Sequence, residues 1–247
     1  MPRLACLAGV FALIVVCRPS PAQEQCGVEV KLLLTPGGIQ AAIPALKAKK
    51  KSLTHVYFFD TDQLDLLSQG VILRLRRGVD SELTVKIRHP QGKAFSDPSA
   101  GREKFKCEVD FAGGQGKPSY SLQAGYAEDK LPATGEDLLR SLSASQKELL
   151  TEAQVSIDWS KVKRIADIQS TTWQSKSTPG LGKLVLELWQ FPGGRILELS
   201  TRGAPGAAPP IAEALQKLAD TKGLAVNPTQ LPKTSSVLEQ ITGATLH

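Results

Sequence analysis

Gly70 to Arg88 reads GVILRLRRGVDSELTVKIR, and apolar and ionic residues alternate along it. Successive side chains of an extended chain point to opposite faces. Ile72, Arg74 and Arg76 therefore share one face, with Val71, Leu73 and Leu75 opposite. In the next segment Thr84, Lys86 and Arg88 oppose Leu83, Val85 and Ile87. Period-two alternation predicts strands over 72–77 and 82–88, each with one apolar and one charged face.

The same parity extends outward from this stretch. Glu29 and Lys31 oppose Val28, Val30 and Leu32, while Lys104, Lys106, Glu108 and Asp110 oppose Phe105, Cys107, Val109 and Phe111. Glu187 opposes Leu186 and Leu188, and Glu198 opposes Leu197 and Leu199. Predicted strands thus cover 28–34, 56–60, 72–77, 82–88, 105–111, 163–171, 183–190 and 195–201. Helical spacing is predicted over 36–50, 137–152 and 210–222, with a short helix near 237–241. Residues 92–101 and 203–209 read as loops, and 113–118 and 192–194 as turns.

Such strands build either a sandwich whose charged faces meet water or a closed barrel. Amphipathic helices among the strands need an apolar sheet surface to cover, and if they take it the charged face turns inward. A barrel of that kind encloses Arg74, Arg76, Lys86, Arg88 and Lys106 together with Glu29, Glu108, Glu187 and Glu198. Convergent cations are costly to desolvate unless an anion joins them, and arginine forks match phosphate oxygens, so polyphosphate is a natural guest. Carboxylates without histidine or thiolate suit a hard divalent cation such as Mg²⁺ or Mn²⁺.

The chain has 247 residues, 41% of them hydrophobic, enough for one core. Arg3 precedes an apolar run from Leu4 to Cys17, and Ser20-Pro21-Ala22 supplies small residues. This is the pattern of an export signal, with a run too short to span a bilayer. The expected organisation is a signal peptide over 1–22 and one domain over 23–247, in a periplasmic or secreted protein with no membrane contact after cleavage. Cleavage removes Arg3 and Arg18 and no acid, so the net charge falls from +6 to +4. That excess attracts anions but is too mild for a nucleic-acid binder, and 5% aromatics makes a poor base-stacking surface. Cys26 and Cys107 remain, an even number in an oxidising compartment. Either a disulfide or two buried thiols satisfies that count. Nothing in the sequence specifies an oligomeric state.

The order of motifs resembles the CYTH family of triphosphate tunnel enzymes. Val28-Glu29-Val30-Lys31-Leu32 resembles its opening Glu-x-Glu-x-Lys strand, and Tyr57-Phe58-Phe59-Asp60-Thr61 its second strand. LLSQGVILRLR, from Leu66 to Arg76, resembles the segment ending in two alternating arginines. Leu83-Thr84-Val85-Lys86, Lys106-Cys107-Glu108 and Leu197-Glu198-Leu199 follow in the family's order. The resemblance implies a mainly β (α+β) fold, a closed barrel of eight antiparallel strands with helices packed outside. It also implies a triphosphate-bearing substrate with Mg²⁺ or Mn²⁺. Arg74, Arg76, Lys86, Arg88, Lys106 and Arg164 would hold phosphates, and Glu29, Lys31 and Glu108 would be catalytic. Glu29, Glu108 and Glu198 would bind metal, with Glu187 a looser match to an acidic position on the penultimate strand. The chain departs from the family at Gly27, where the first glutamate of the opening motif is expected, and at Ser200, where the late strand carries a second acid.

Other chemistries lack their residues. His55, His89 and His247 are scattered, no GxSxG occurs, and Cys26 and Cys107 sit in no zinc-spaced cluster. Trp159, Trp173 and Trp189 read as core anchors, and the lysines at 47 and 49–51 as a solvated helix end. Two functions remain. One is metal-dependent hydrolysis of inorganic triphosphate or a nucleoside triphosphate. The other is non-catalytic binding of polyphosphate or another polyanion.

Overall fold

The computed structural model describes residues 26–88 and 93–245. The predicted signal peptide, His89 and His247 lie outside them. The described chain forms a closed barrel of nine strands: β1 (Gly27–Leu34), β2 (Lys49–Asp60), β3 (Val71–Arg77), β4 (Glu82–Ile87), β5 (Lys104–Ala112), β6 (Gln115–Gly125), β7 (Lys163–Thr178), β8 (Gly182–Phe191) and β9 (Gly194–Gly203). Around the barrel the order is β1-β5-β6-β4-β3-β2-β7-β8-β9.

The expectation of eight antiparallel strands is corrected in number and direction. The ninth strand is β6, whose Pro118 and glycine-rich start read as a turn; only Gly113 and Gly114 make the turn, both at positive φ. Pro118 is tolerated because it lies in the part of β6 beyond the β4 ladder, which ends at Tyr120, so that stretch is paired on one side only, with β5. One pair, β1 with β5, is parallel. It closes the barrel, and the Cys26–Cys107 disulfide, with Cα atoms 5.0 Å apart, ties those two strands at the seam. The bridge encloses a segment of 81 residues, a loop length for which chain-entropy arguments give about 4 kcal/mol of stability. Cys107→Ser is therefore expected to lower unfolding stability by about 2–5 kcal/mol, measured by urea denaturation, with reductant adding no further loss.

Helices α1 (Ile39–Ala45), α2 (Asp65–Ser68), α3 (Gly135–Ser141), α4 (Ala144–Glu152), α5 (Ala208–Thr221) and α6 (Lys233–Thr242) complete the fold. The helix predicted over 36–50 stops at Ala45; of the lysines that read as its solvated end, Lys47 lies in the turn and Lys49, Lys50 and Lys51 begin β2, all of them exposed. The helix predicted over 137–152 is two helices. Thr134 and Ser143 each close a capping box with the residue three positions on, a device contributing about 1 kcal/mol per cap. That second cap breaks the leucine-rich run in the middle.

The charged face does turn inward. Leu73, Leu75, Leu83, Val85, Ile87, Leu197 and Leu199 belong to one outer core with Leu138, Leu149 and Leu215 of the helices. Gln146 of α4 fixes this layer by donating to the carbonyls of Leu83 and Leu122 at 2.8 and 3.1 Å. A second cluster fills one end of the barrel interior: Val56, Phe58, Ile72, Ile168 and Trp189 pack with Val237 and Leu238 of α6. That helix stoppers the barrel, and the polar tunnel lies beyond it.

Candidate functional site

Two local devices place the tunnel's cations. Asp60 accepts from the backbone N–H groups of Thr61, Leu66 and Leu67 at 2.7–2.9 Å, pinning the turn that leads into β3. Gly70 then starts the strand at φ +79°, where a Cβ would lie 2.1 Å from the Arg88 carbonyl oxygen. Only glycine allows that approach, and the Arg88 N–H in turn donates to the Gly70 carbonyl at 2.7 Å.

The tunnel is a cavity of about 390 Å³ lined by Glu29, Lys31, Arg74, Arg76, Lys86, Arg88, Lys106, Glu108, Glu187 and Glu198. Every site residue expected from the sequence is therefore brought together, with one exception. Arg164 is exposed, and its guanidinium lies over the Tyr57 ring at 5.6 Å. A register shift between Phe58 and Phe59 pairs Phe58 with Ala166 but Phe59 with Arg164. Such a bulge reverses the parity, so Arg164 leaves on the outer face with Tyr57 while Ile168 and Ser170 stay inward.

Inside, the charges fall into three groups. Asp110, 9% exposed, receives Lys31 at 2.5 Å, Lys86 at 2.6 Å and Arg88 at 2.9 Å. Burial raises its pKa, but the three cations outweigh burial and hold the carboxyl well below its usual range. One carboxylate cannot satisfy three cations, however. Burial, together with Arg88 and Lys31, pushes Lys86 down to about 8 despite its pairing. At one side Arg202 bridges Glu29 at 3.0 Å and Glu108 at 3.1 Å, while Glu29 also meets Lys31 at 3.0 Å. Against the apolar stopper, Lys233 from the start of α6 is paired with both Glu187 and Glu198.

Arg74 stands apart. No carboxylate among the described residues pairs with it; its nearest partner is the Thr84 hydroxyl at 3.5 Å, and its buried Nε donates to nothing. Burial and the neighbouring Arg76 push it down to about 9, so the guanidinium remains charged at neutral pH but poorly satisfied. Lys106 likewise forms no ion pair among the described residues, and burial lowers its pKa. A second orphan donor, Nε1 of Trp189, is buried in the tunnel lining. Orphaned donors and unpaired cations converging on one cavity are what an oxyanion with several acceptors relieves.

The carboxylates fit a divalent metal less well. Glu29, Glu108, Asp110, Glu187 and Glu198 all already face cations, and no three acidic, histidine or cysteine side chains among the described residues are grouped to hold a metal ion. Mg²⁺ and Mn²⁺ need several convergent oxygens, and the arrangement present does not offer them.

Asp110, Arg202 and Lys233 were not singled out from sequence. Parity does place Asp110 beside Glu108, and Arg202 shares the face of Glu198. Lys233 follows a proline in a turn-rich tail and carries no strand pattern to reveal it.

No protein-family model and no curated protein matches the chain. Among solved structures, a putative adenylyl cyclase from Hippeastrum with a dominant triphosphatase activity superposes with a TM-score of 0.59 at 20% identity, covering 88% of this chain and 96% of that one. This chain shares that protein's fold. A putative adenylate cyclase from Bacillus halodurans agrees, with a TM-score of 0.56 at 17% identity over 85% of this chain and 97% of that one. The barrel fold is therefore common to the three.

Proposed function

We propose that the tunnel binds a triphosphate-type anion, such as inorganic triphosphate, a nucleoside triphosphate or the end of a polyphosphate chain, in a periplasmic or secreted protein. The observation that carries this reading is Arg74, a half-buried arginine with a buried, unsatisfied Nε and no carboxylate partner among the described residues, beside Arg76, Lys86 and Lys106. The extracytoplasmic setting is supported by the leader-like start of the sequence and by the Cys26–Cys107 pairing.

Hydrolysis is the second reading, favoured by the triphosphatase activity of the Hippeastrum structure. In that reading Glu29 or Glu108 would orient water and the basic residues would stabilise charge developing on the phosphoryl oxygens. The supporting role for Mg²⁺ or Mn²⁺ is weakened by Gly27 and Ser200 and by the engaged carboxylates.

Titration calorimetry with tripolyphosphate, paired with a phosphate-release assay with and without Mg²⁺, separates the two. Binding without release is expected. Release that disappears in Lys86→Ala and with chelator would replace binding by catalysis as the conclusion.

The same titration carries a pH signature. Lys86 is charged below about pH 8 in the free protein, and an anion favours the charged form. Affinity should hold near neutrality and fall as pH rises through 8, by up to about tenfold per pH unit. In Lys86→Arg the fall should move to higher pH, because a guanidinium keeps its proton. An affinity independent of pH would remove Lys86 from the binding group.

A further inference from the structure

Glu187 and Glu198 lie directly opposite each other on β8 and β9, both pointing into the tunnel. Like charges at opposed positions are unfavourable, so the pair requires a cation. The CYTH resemblance places metal ligands here. In this chain the cation is a side chain. The Lys233 ammonium is paired with Glu187, lies 2.8 Å from Glu198, and sits 4.4 Å from the centroid of the Trp189 ring. Its side chain is only 9% exposed, and Ser170 completes the cluster by donating to Glu187 at 2.7 Å.

Helix α6 delivers that ammonium. Val237 and Leu238 anchor the helix in the apolar end of the barrel, and Gln240 donates to the Gly193 carbonyl at the β8–β9 turn at 3.1 Å. Lys233 is thereby presented to the carboxylate pair with the high effective concentration of an intramolecular ligand. Charge accounting agrees. The pair carries −2 and Lys233 +1, and Arg76 acts on Glu187 as a second cation.

We propose that Lys233 is a resident cation that occupies the Glu187–Glu198 pair in place of a divalent metal, so that the tunnel binds its anion without metal. The anion half of this statement rests on the function proposed above; the cation half does not.

The test has a phosphate-free arm and a phosphate arm. In the first, Mn²⁺ is titrated into wild-type protein and Lys233→Ala, followed by the loss of free Mn²⁺ signal in electron paramagnetic resonance and by melting temperature. Wild type should bind Mn²⁺ at least about tenfold more weakly than the variant, and Mn²⁺ should raise the melting temperature of the variant alone. Lys233→Arg, which keeps the charge, should resemble wild type. Equal Mn²⁺ affinity in wild type and Lys233→Ala overturns the proposal. In the second arm, wild-type affinity for tripolyphosphate should be the same in chelator and in Mg²⁺; binding that requires metal overturns it as well. Both wild-type measurements stand even if Lys233→Ala fails to fold. Failure to bind tripolyphosphate under any condition, with the Mn²⁺ contrast intact, would refute the proposed ligand while sparing the resident cation.

Discussion

Asp110→Asn is expected to be the most damaging single change in the tunnel, lowering unfolding stability by about 3–5 kcal/mol, the cost of leaving buried charges unpaired. Lys31, Lys86 and Arg88 all converge on this one carboxylate. The amide is nearly isosteric, so packing is preserved and the loss is electrostatic. The same reasoning fixes a second, diagnostic result: tripolyphosphate should stabilise Asp110→Asn more than it stabilises wild type, because an anion can enter where the carboxylate charge was lost. Urea denaturation with and without tripolyphosphate measures both. A variant as stable as wild type, or one that gains nothing extra from the anion, would mean that Asp110 is not what holds the three cations.

Arg74→Met should produce the opposite pair of effects. The side chain is half-buried without a carboxylate partner among the described residues, and its buried Nε is orphaned among them. Replacing a poorly compensated buried charge by an apolar chain of similar length commonly stabilises by about 1–4 kcal/mol. The melting temperature should therefore rise. A charge-assisted hydrogen bond to an anion contributes about 1.5–3 kcal/mol, so tripolyphosphate affinity should fall by about ten- to a hundredfold. A variant that is more stable and binds less identifies Arg74 as a residue held for its ligand at the expense of the fold. Loss of both stability and binding would show that Arg74 is structural instead.

These two residues differ in how visible they are in the sequence. Arg74 sits in a strand whose apolar–ionic alternation is unbroken from Leu73 to Arg76, and parity with Arg76 is enough to place both on the charged face. Asp110 shares a face with Lys106 and Glu108 by the same rule, yet nothing in one strand's pattern shows that Lys31 and Arg88 from two others will meet it. That convergence comes from the registers, with Asp110 paired to Glu29 across the parallel seam and to Lys117 on the other side.

Where local signals competed, the sequence reading erred in understandable ways. The lysines of residues 49–51 follow a helical pattern and read as its end, but their pairing with β7 makes them strand. The leucines of residues 137–152 keep helical spacing across a boundary that Ser143 caps. Arg164 keeps strand parity with Ala166 and Ile168 on paper and loses it at a bulge, because a single unpaired residue reverses every side chain beyond it.

The sequence by itself determined that this protein has amphipathic strands with a basic and acidic face, that helices compete for the apolar face, and that Arg74 and Arg76, Lys86 and Arg88, and Lys106 each lie on the charged face of their own strand. Those properties follow from the two-residue period of an extended chain and need no distant contact. Only the tertiary structure decided which charges remain in demand of a partner. Barrel closure placed three cations on Asp110, left Arg74 without an acid among the described residues, and let α6 carry Lys233 from a tail with no strand pattern to the glutamates of β8 and β9. Pairing of buried charges depends on distances of a few ångströms between segments far apart in the chain, and such distances are set by register, bulges and helix docking rather than by any local pattern.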